Sequence, residues 1–232
     1  MNDSKTISER GTVIPMLALI FASLVSVLLT GLRVKWTGNI RYLLLVWNLA
    51  LAWLPLLFAL GVYHRYQRGE RKGWRILMLA ALWILFLPNA PYIFTDLIHL
   101  NTWFGSHYWV DLSLILITAL TGFLLGFISL YLMQSVVAHC WGRAAGWVLI
   151  ATATGLSGFG IYFGRILRWN SWDVLVHPLR VSDSFGHWAM HPLASPGTTF
   201  AFPLLFATFL FLGYVMLYAL THLQPAHGRA AV

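Results

Sequence analysis

Residues 11–32 contain no charged side chain, and neither do residues 42–64, 76–95, 112–142 and 144–164. A helix needs about 20 consecutive apolar residues to cross a hydrocarbon layer about 30 Å thick. Stretches of that length, repeated along the chain, admit few folds. Charged residues make up only 9% of the whole and hydrophobic ones 59%. A soluble domain carries about 25% charged residues. This chain therefore has too little polar surface to cover a water-exposed globule, and lipid is its solvent. No water inside the bilayer can satisfy exposed backbone, so each crossing segment must close its own hydrogen bonds as a helix. Six spans follow, at about residues 12–32, 42–63, 74–100, 110–133, 145–163 and 199–220. The expected fold is all-α, a polytopic transmembrane bundle of six helices. It forms a single transmembrane domain over residues 1–232, since no linker or low-complexity tract divides the chain.

The formal net charge of +8 raises the question of nucleic acid. Its distribution answers otherwise. The one dense basic run, HRYQRGERKGWR (64–75), lies between two apolar spans, where a loop facing anionic headgroups accounts for it. With six spans both termini share one side. Nine of the basic residues fall on that side: Lys5, Arg10, Arg65, Arg68, Arg71, Lys72, Arg75, Arg143 and Arg229. Six fall on the other: Arg33, Lys35, Arg41, Arg165, Arg168 and Arg180. The bias predicts both termini in the cytoplasm. Trp103, Trp109, Trp169, Trp172 and Trp188 then cluster in outer loops at headgroup level. The first apolar stretch is longer than a signal-peptide core and lacks a small-x-small cleavage site, so it is expected to be retained. Cys140 is the only cysteine, which excludes an intrachain disulfide.

The third span is the unusual one. FLPNAPYIFTDLIHL (86–100) carries Pro88 and Pro91 three residues apart, after an apolar run of only 14 residues from Trp74. That run is about 21 Å long as a helix, too short to cross. Each proline lacks an N–H and frees a carbonyl of the preceding turn. A break at Pro88/Pro91 is expected, with Asn89 as N-cap of a new short helix. If that helix is regular, Asn89, Tyr92, Asp96 and His99 share an arc of about 80°. A carboxylate near the membrane, beside unpaired carbonyls, reads as a functional group unless a cation pairs with it.

The segment GRILRWNSWDVLVHPLR (164–180) falls on the same side. Arg165 and Arg168, together with Asn170, Asp173 and Asp111, complete a candidate substrate-binding set with Asn89 and Tyr92. Guanidinium groups suit either pairing with these carboxylates or a bidentate grip on phosphate or carboxylate. Asp96 and His99 form a candidate catalytic acid/base pair, because histidine titrates near neutrality. No spacing matches a zinc signature, so no metal or other cofactor is expected. Small residues at Gly122 and Gly126, and at Gly160 and Gly164 with Ala151 and Gly155 above them, predict close helix packing in spans four and five. Gly155-Leu156-Ser157-Gly158 resembles the nucleophile segment of rhomboid-type intramembrane proteases. The sixth span holds no histidine to activate it.

FLPNAPYIFTDLIHL and GRILRWNSWDVL together resemble signature segments of an uncharacterised bacterial membrane family, domain-of-unknown-function family 1361. The resemblance runs from about the second span through the sixth. It implies a multi-spanning protein of the bacterial inner (cytoplasmic) membrane and carries no catalytic residue. Three functions fit the residues: binding or processing of an anionic lipid or lipid-linked amphipathic substrate, a small-solute or ion permease, and a non-catalytic membrane assembly protein. The sequence does not decide whether the protein is an enzyme. Membrane lipids are the expected partners, and nucleic acid is not.

Overall fold

In a computed structural model the chain is an all-α bundle whose helices track the apolar runs. The structure describes residues 3–70, 73–100, 107–166 and 200–222, with isolated positions at Arg168, Val176, His177, Leu179 and Gly186. Side chains are described from Ile14 onward, His99 excepted. The helices are α1 (Asp3–Thr37), α2 (Leu43–Gln67), α3 (Trp74–Phe86), α4 (Asn89–Tyr92), α5 (Tyr108–Trp141), α6 (Arg143–Arg165) and α7 (Phe202–Thr221). Two 3₁₀ segments, Ile40–Tyr42 and Ile93–His99, precede α2 and extend α4. Six of the resulting rods are long and apolar enough to cross a membrane, with α3, α4 and the adjoining 3₁₀ segment counting as one. The protein is a polytopic transmembrane bundle.

Burial identifies the centre. Over half of the most apolar window of α5 is buried inside the protein, 56%, against 11% for α7. Helix α5 touches α1, α2, α4, the second 3₁₀ segment and α6, whereas α7 packs closely along α6 and meets α5 through side chains, Phe209 on Phe123 and Tyr214 on Phe127. Leu43, Leu44, Leu57, Leu77, Leu204, Leu205 and Met216 stay exposed, as side chains facing acyl chains would. Buried and half-buried polar contacts tie neighbouring helices. Trp53 Nε1 donates to Ser23 Oγ between α2 and α1 at 3.1 Å, and Trp83 Nε1 to Ser129 Oγ between α3 and α5 at 3.3 Å. Tyr214 of α7 donates its hydroxyl to Gln134 of α5. Such bonds average about 0.6 kcal/mol in a bilayer, so shape complementarity must supply the rest.

That complementarity centres on the broken third crossing. Single prolines at Pro15 and Pro55 lie inside α1 and α2 without ending them. Pro88 and Pro91 remove two N–H donors within one turn, and α3 stops at Phe86. Two of the carbonyls at the break find new donors. Leu87 O accepts Ala90 N at 3.2 Å, a 3₁₀-type bond, and Phe86 O accepts Asn89 Nδ2 at 3.1 Å. Asn89 thus serves the end of α3 with its side chain, while the cap position of α4 is Pro88. The expected N-cap role falls to no side chain.

The break packs into two glycine notches. A Cβ on Gly122 would lie 2.6 Å from Ala90 O, and one on Gly126 would lie 2.9 Å from Ala90 Cβ. Across the segment, a Cβ on Gly160 would lie 2.5 Å from Pro88 Cγ. The small residues of α5 and α6 therefore receive the kinked segment between them. Gly158 plays the corresponding role for α7, where a Cβ would strike Pro203 O and Ala207. Gly122→Ala is expected to lower stability by about 1–3 kcal/mol, because its obstacle is backbone. Gly155→Ala, with nothing within 4 Å of the new Cβ, is expected to be neutral or slightly stabilising. Thermal unfolding of the two variants in detergent separates them, and equal melting temperatures would remove the notch from the account.

Candidate functional site

The helix ends that begin α2 and α5 and finish α1, α6 and the third crossing gather at one end of the bundle. Two arginine–carboxylate pairs stand there. In the first, Asp96 lies just beyond the break, and its Oδ1 accepts Arg165 Nη1 at 3.2 Å. Its Oδ2 accepts Asn48 Nδ2 at 2.9 Å. Arg165, the last residue of α6, also donates Nη2 to Thr95 O at 2.8 Å. Its guanidinium carbon lies 5.8 Å from the centre of the Tyr92 ring. The Tyr92 hydroxyl makes a long 3.5 Å contact with Gly164 O. A cation at the C-terminus of α6 also complements the helix dipole. The side chains of Arg165 and Asp96 keep 15% and 11% of their exposure, so this pair is nearly but not wholly enclosed.

The second pair is sealed. Asp111, in the first turn of α5, accepts Arg33 Nε at 2.8 Å on Oδ1 and Arg33 Nη2 at 3.0 Å on Oδ2. The Tyr42 hydroxyl donates to the same Oδ1 at 2.9 Å. Asp111 is fully buried and Arg33 is 3% exposed. The Arg33 guanidinium also lies 5.2 Å from the Trp36 ring centre and 5.4 Å from that of Tyr42. Among the described residues, Arg33 Nη1 has no hydrogen-bond partner. Bidentate geometry and aromatic faces are the arrangement in which a buried arginine loses least by leaving water.

Helix α2 links the two pairs. Tyr42 stands just before it and Asn48 in its second turn, about 9 Å apart along the axis at 1.5 Å per residue. The candidate set from the sequence is thereby divided. The structure brings Tyr92, Asp96 and Arg165 together and places Asp111 in the separate Arg33 pair. Asn89 lies at the break, with its amide on Phe86 O. Arg168 lies beyond the end of α6, exposed and with φ +58°, so it does not continue the helical face of Arg165. Asn170 and Asp173 lie outside the described residues, and so does the side chain of His99.

Arg33, Tyr42, Asn48 and Thr95 are not among the candidates that the sequence singles out. Arg33 reads as a loop charge because apolar character ends at Leu32, yet α1 continues to Thr37 and carries it inside the helix. Asn48 offers a signal, being the only side-chain amide within residues 42–63. Among the described residues, no three His, Cys, Asp or Glu side chains converge as a metal site. Ser157 Oγ is buried and donates to Ala153 O of its own helix at 2.8 Å.

Removing one member of a buried pair leaves an uncompensated charge and costs about 3–5 kcal/mol. Asp111→Ala is therefore expected to reduce the yield of folded protein sharply. The double change Arg33→Met with Asp111→Leu should recover part of that loss. Monodispersity and melting temperature in detergent test this, and a double variant no better than the single one would show that the pair does more than neutralise charge.

Comparison of the chain with curated proteins and with solved structures finds no match. A family model described as "Protein of unknown function (DUF1361)" matches residues 47–213, which include the broken third crossing, Asp96, Asp111 and Arg165. With most of its length matched, from within the second crossing helix to within the sixth, the chain belongs to this family of proteins of unknown function.

Proposed function

We infer that the protein binds an anionic amphiphile, a lipid or lipid-linked headgroup, at the end of the bundle that carries Asp96 and Arg165. One observation supports this above the others. Both described carboxylates at that end are already engaged by buried or nearly buried arginines, while Lys35, Arg41 and Arg168 are exposed around them. The rim therefore presents positive charge over a polar floor, and an anion is the complementary ligand. Among the described residues, Arg165 places Nη1 on Asp96 and Nη2 on Thr95. Asp96 orients Arg165 here, since both of its oxygens are occupied by donors. The charge bias between loops supports an extracytoplasmic position for this end.

Close packing beneath the break favours binding over permeation. The contacts of Pro88 and Ala90 with Gly160 and Gly122 leave no room for a methyl group along that line. A second reading, non-catalytic assembly, is favoured by the same two pairs, which clamp α1 to α5 and α6 to the third crossing.

Native mass spectrometry separates these readings. Protein taken from nanodiscs of mixed phosphatidylglycerol and phosphatidylcholine is expected to retain the anionic lipid preferentially. Arg165→Gln should reduce that preference by about tenfold, the effect of losing roughly 1.4 kcal/mol of charge-assisted hydrogen bonding. The combined change Lys35→Gln, Arg41→Gln and Arg168→Gln leaves both buried pairs intact and should reduce it as well. Unchanged lipid preference in both variants, with stability lost only in the first, would leave assembly as the function.

A further inference from the structure

Asn48 is an amide in a crossing helix that otherwise spends its side chains on apolar packing. Its neighbours one turn away, Leu45 and Ala52, are buried, and Asn48 itself is half-buried. A side-chain amide taken from water is costly unless it finds a partner. Asn48 finds a carboxylate, with Nδ2 donating to Asp96 Oδ2 at 2.9 Å.

Asp96 does not need that bond for its charge, because the Arg165 guanidinium stands 3.2 Å from Oδ1. What one partner leaves open is direction. The terminal torsion of an aspartate is broad and roughly two-fold, so a carboxylate held at one oxygen can still turn. With Oδ1 on the arginine of α6 and Oδ2 on the amide of α2, the group is pinned from two helices. Its plane then fixes where Arg165 Nη1 lies, and Thr95 O, 2.8 Å from Nη2, supplies a second fixed point. A guanidinium is flat and rigid, so two points on it leave little freedom.

The sealed pair offers a comparison. Helix α2 contributes a neutral donor there too, through Tyr42 at its foot, 2.9 Å from Asp111 Oδ1. Arg33, however, meets both oxygens of Asp111 through Nε and Nη2, and that fork sets the plane without help. Arg165 meets Asp96 through Nη1 and turns Nη2 to Thr95. The neutral donor therefore has a task at Asp96 that it lacks at Asp111.

We propose that Asn48 is a positioning residue: acting through Asp96, it sets the plane in which the Arg165 guanidinium is presented. That an anion meets this guanidinium rests on the function proposed above. The hold itself rests on the bonds among Asn48, Asp96 and Arg165.

Nuclear magnetic resonance of the full chain with nitrogen-labelled arginine, in phosphatidylcholine nanodiscs, reads the guanidinium directly. The Arg165 signals, identified by their loss in Arg165→Gln, are expected to separate Nη1 from Nη2, since rotation that exchanges them breaks the bonds to Asp96 and Thr95. Asn48→Leu has a similar branched outline without a donor and should speed this exchange about threefold, the effect of losing one average side-chain bond in a bilayer. Asn48→Ala, which needs no extra space, should act alike. The Arg33 signals should not change in either variant. In an Asp96→Ala background, adding Asn48→Leu should change nothing further, because the route through the carboxylate is gone. Unchanged exchange at Arg165, equal quickening at Arg33, or an effect that persists without Asp96 overturns the proposal. Lipid preference is measured separately, in the mixed phosphatidylglycerol and phosphatidylcholine nanodiscs. Asn48→Leu should lower it about threefold. A preference that falls with Arg165→Gln but not with Asn48→Leu also overturns the proposal. A preference unchanged in both, with exchange at Arg165 still quickened, ends the anion reading and leaves the positioning role standing.

Discussion

The docking of one broken helix into two glycine notches governs the rest of this bundle. A lipid-embedded protein gains nothing from burying apolar surface against apolar surface, so its helices must associate through close contact and polar bonds. Here Pro88 and Ala90 meet Gly160, Gly122 and Gly126 so closely that no methyl group would fit between them. The segment is held from both sides by residues without side chains, and its direction is thereby set. Tyr92, Thr95 and Asp96, next along the chain, are delivered to the end of α6 where Arg165 stands. The polar site is a consequence of the packing beneath it.

The two buried pairs differ in a way that separates their roles. The Arg33 and Asp111 pair is bidentate, capped by Tyr42 and closed to solvent, and it fastens the first helix to the central one. The Asp96 and Arg165 pair is longer, shared with Asn48 and Thr95, and retains some exposure. A closed pair suits attachment. A pair at the edge of the protein, partly open, is the one that a molecule outside the bundle can reach.

Much of this is legible in the residues. Six crossings follow from the spacing of charges, and the break follows from two prolines within one turn. The resemblance carried by FLPNAPYIFTDLIHL and GRILRWNSWDVL is the family found by comparison. Partners are harder to read, for physical reasons. Hydropathy marks where apolar character ends, while a helix ends where its backbone bonds end, so Arg33 reads as a loop residue although α1 overruns it to Thr37. Arg165 and Arg168 share a helical face only if α6 continues, and it stops at Arg165. Gly122, Gly126 and Gly160 signal close approach correctly as a type of contact, whereas Gly155 faces open space. Their partner is the kinked segment, because spacing along one helix carries no information about what lies opposite.

The Arg33 and Asp111 pair also bears on how the chain is made. The partners lie 78 residues apart, with two further crossings between them. At synthesis rates of about 5–20 residues per second, the first helix waits roughly 4–16 s before its counter-ion leaves the ribosome. During that interval its guanidinium has no carboxylate to meet in the hydrocarbon and must reach up to the headgroups, as long cationic side chains near helix ends do. Emergence of α5 then draws the charge inward and seals it. Insertion of the first helix is in this sense provisional, completed only when the central helix arrives.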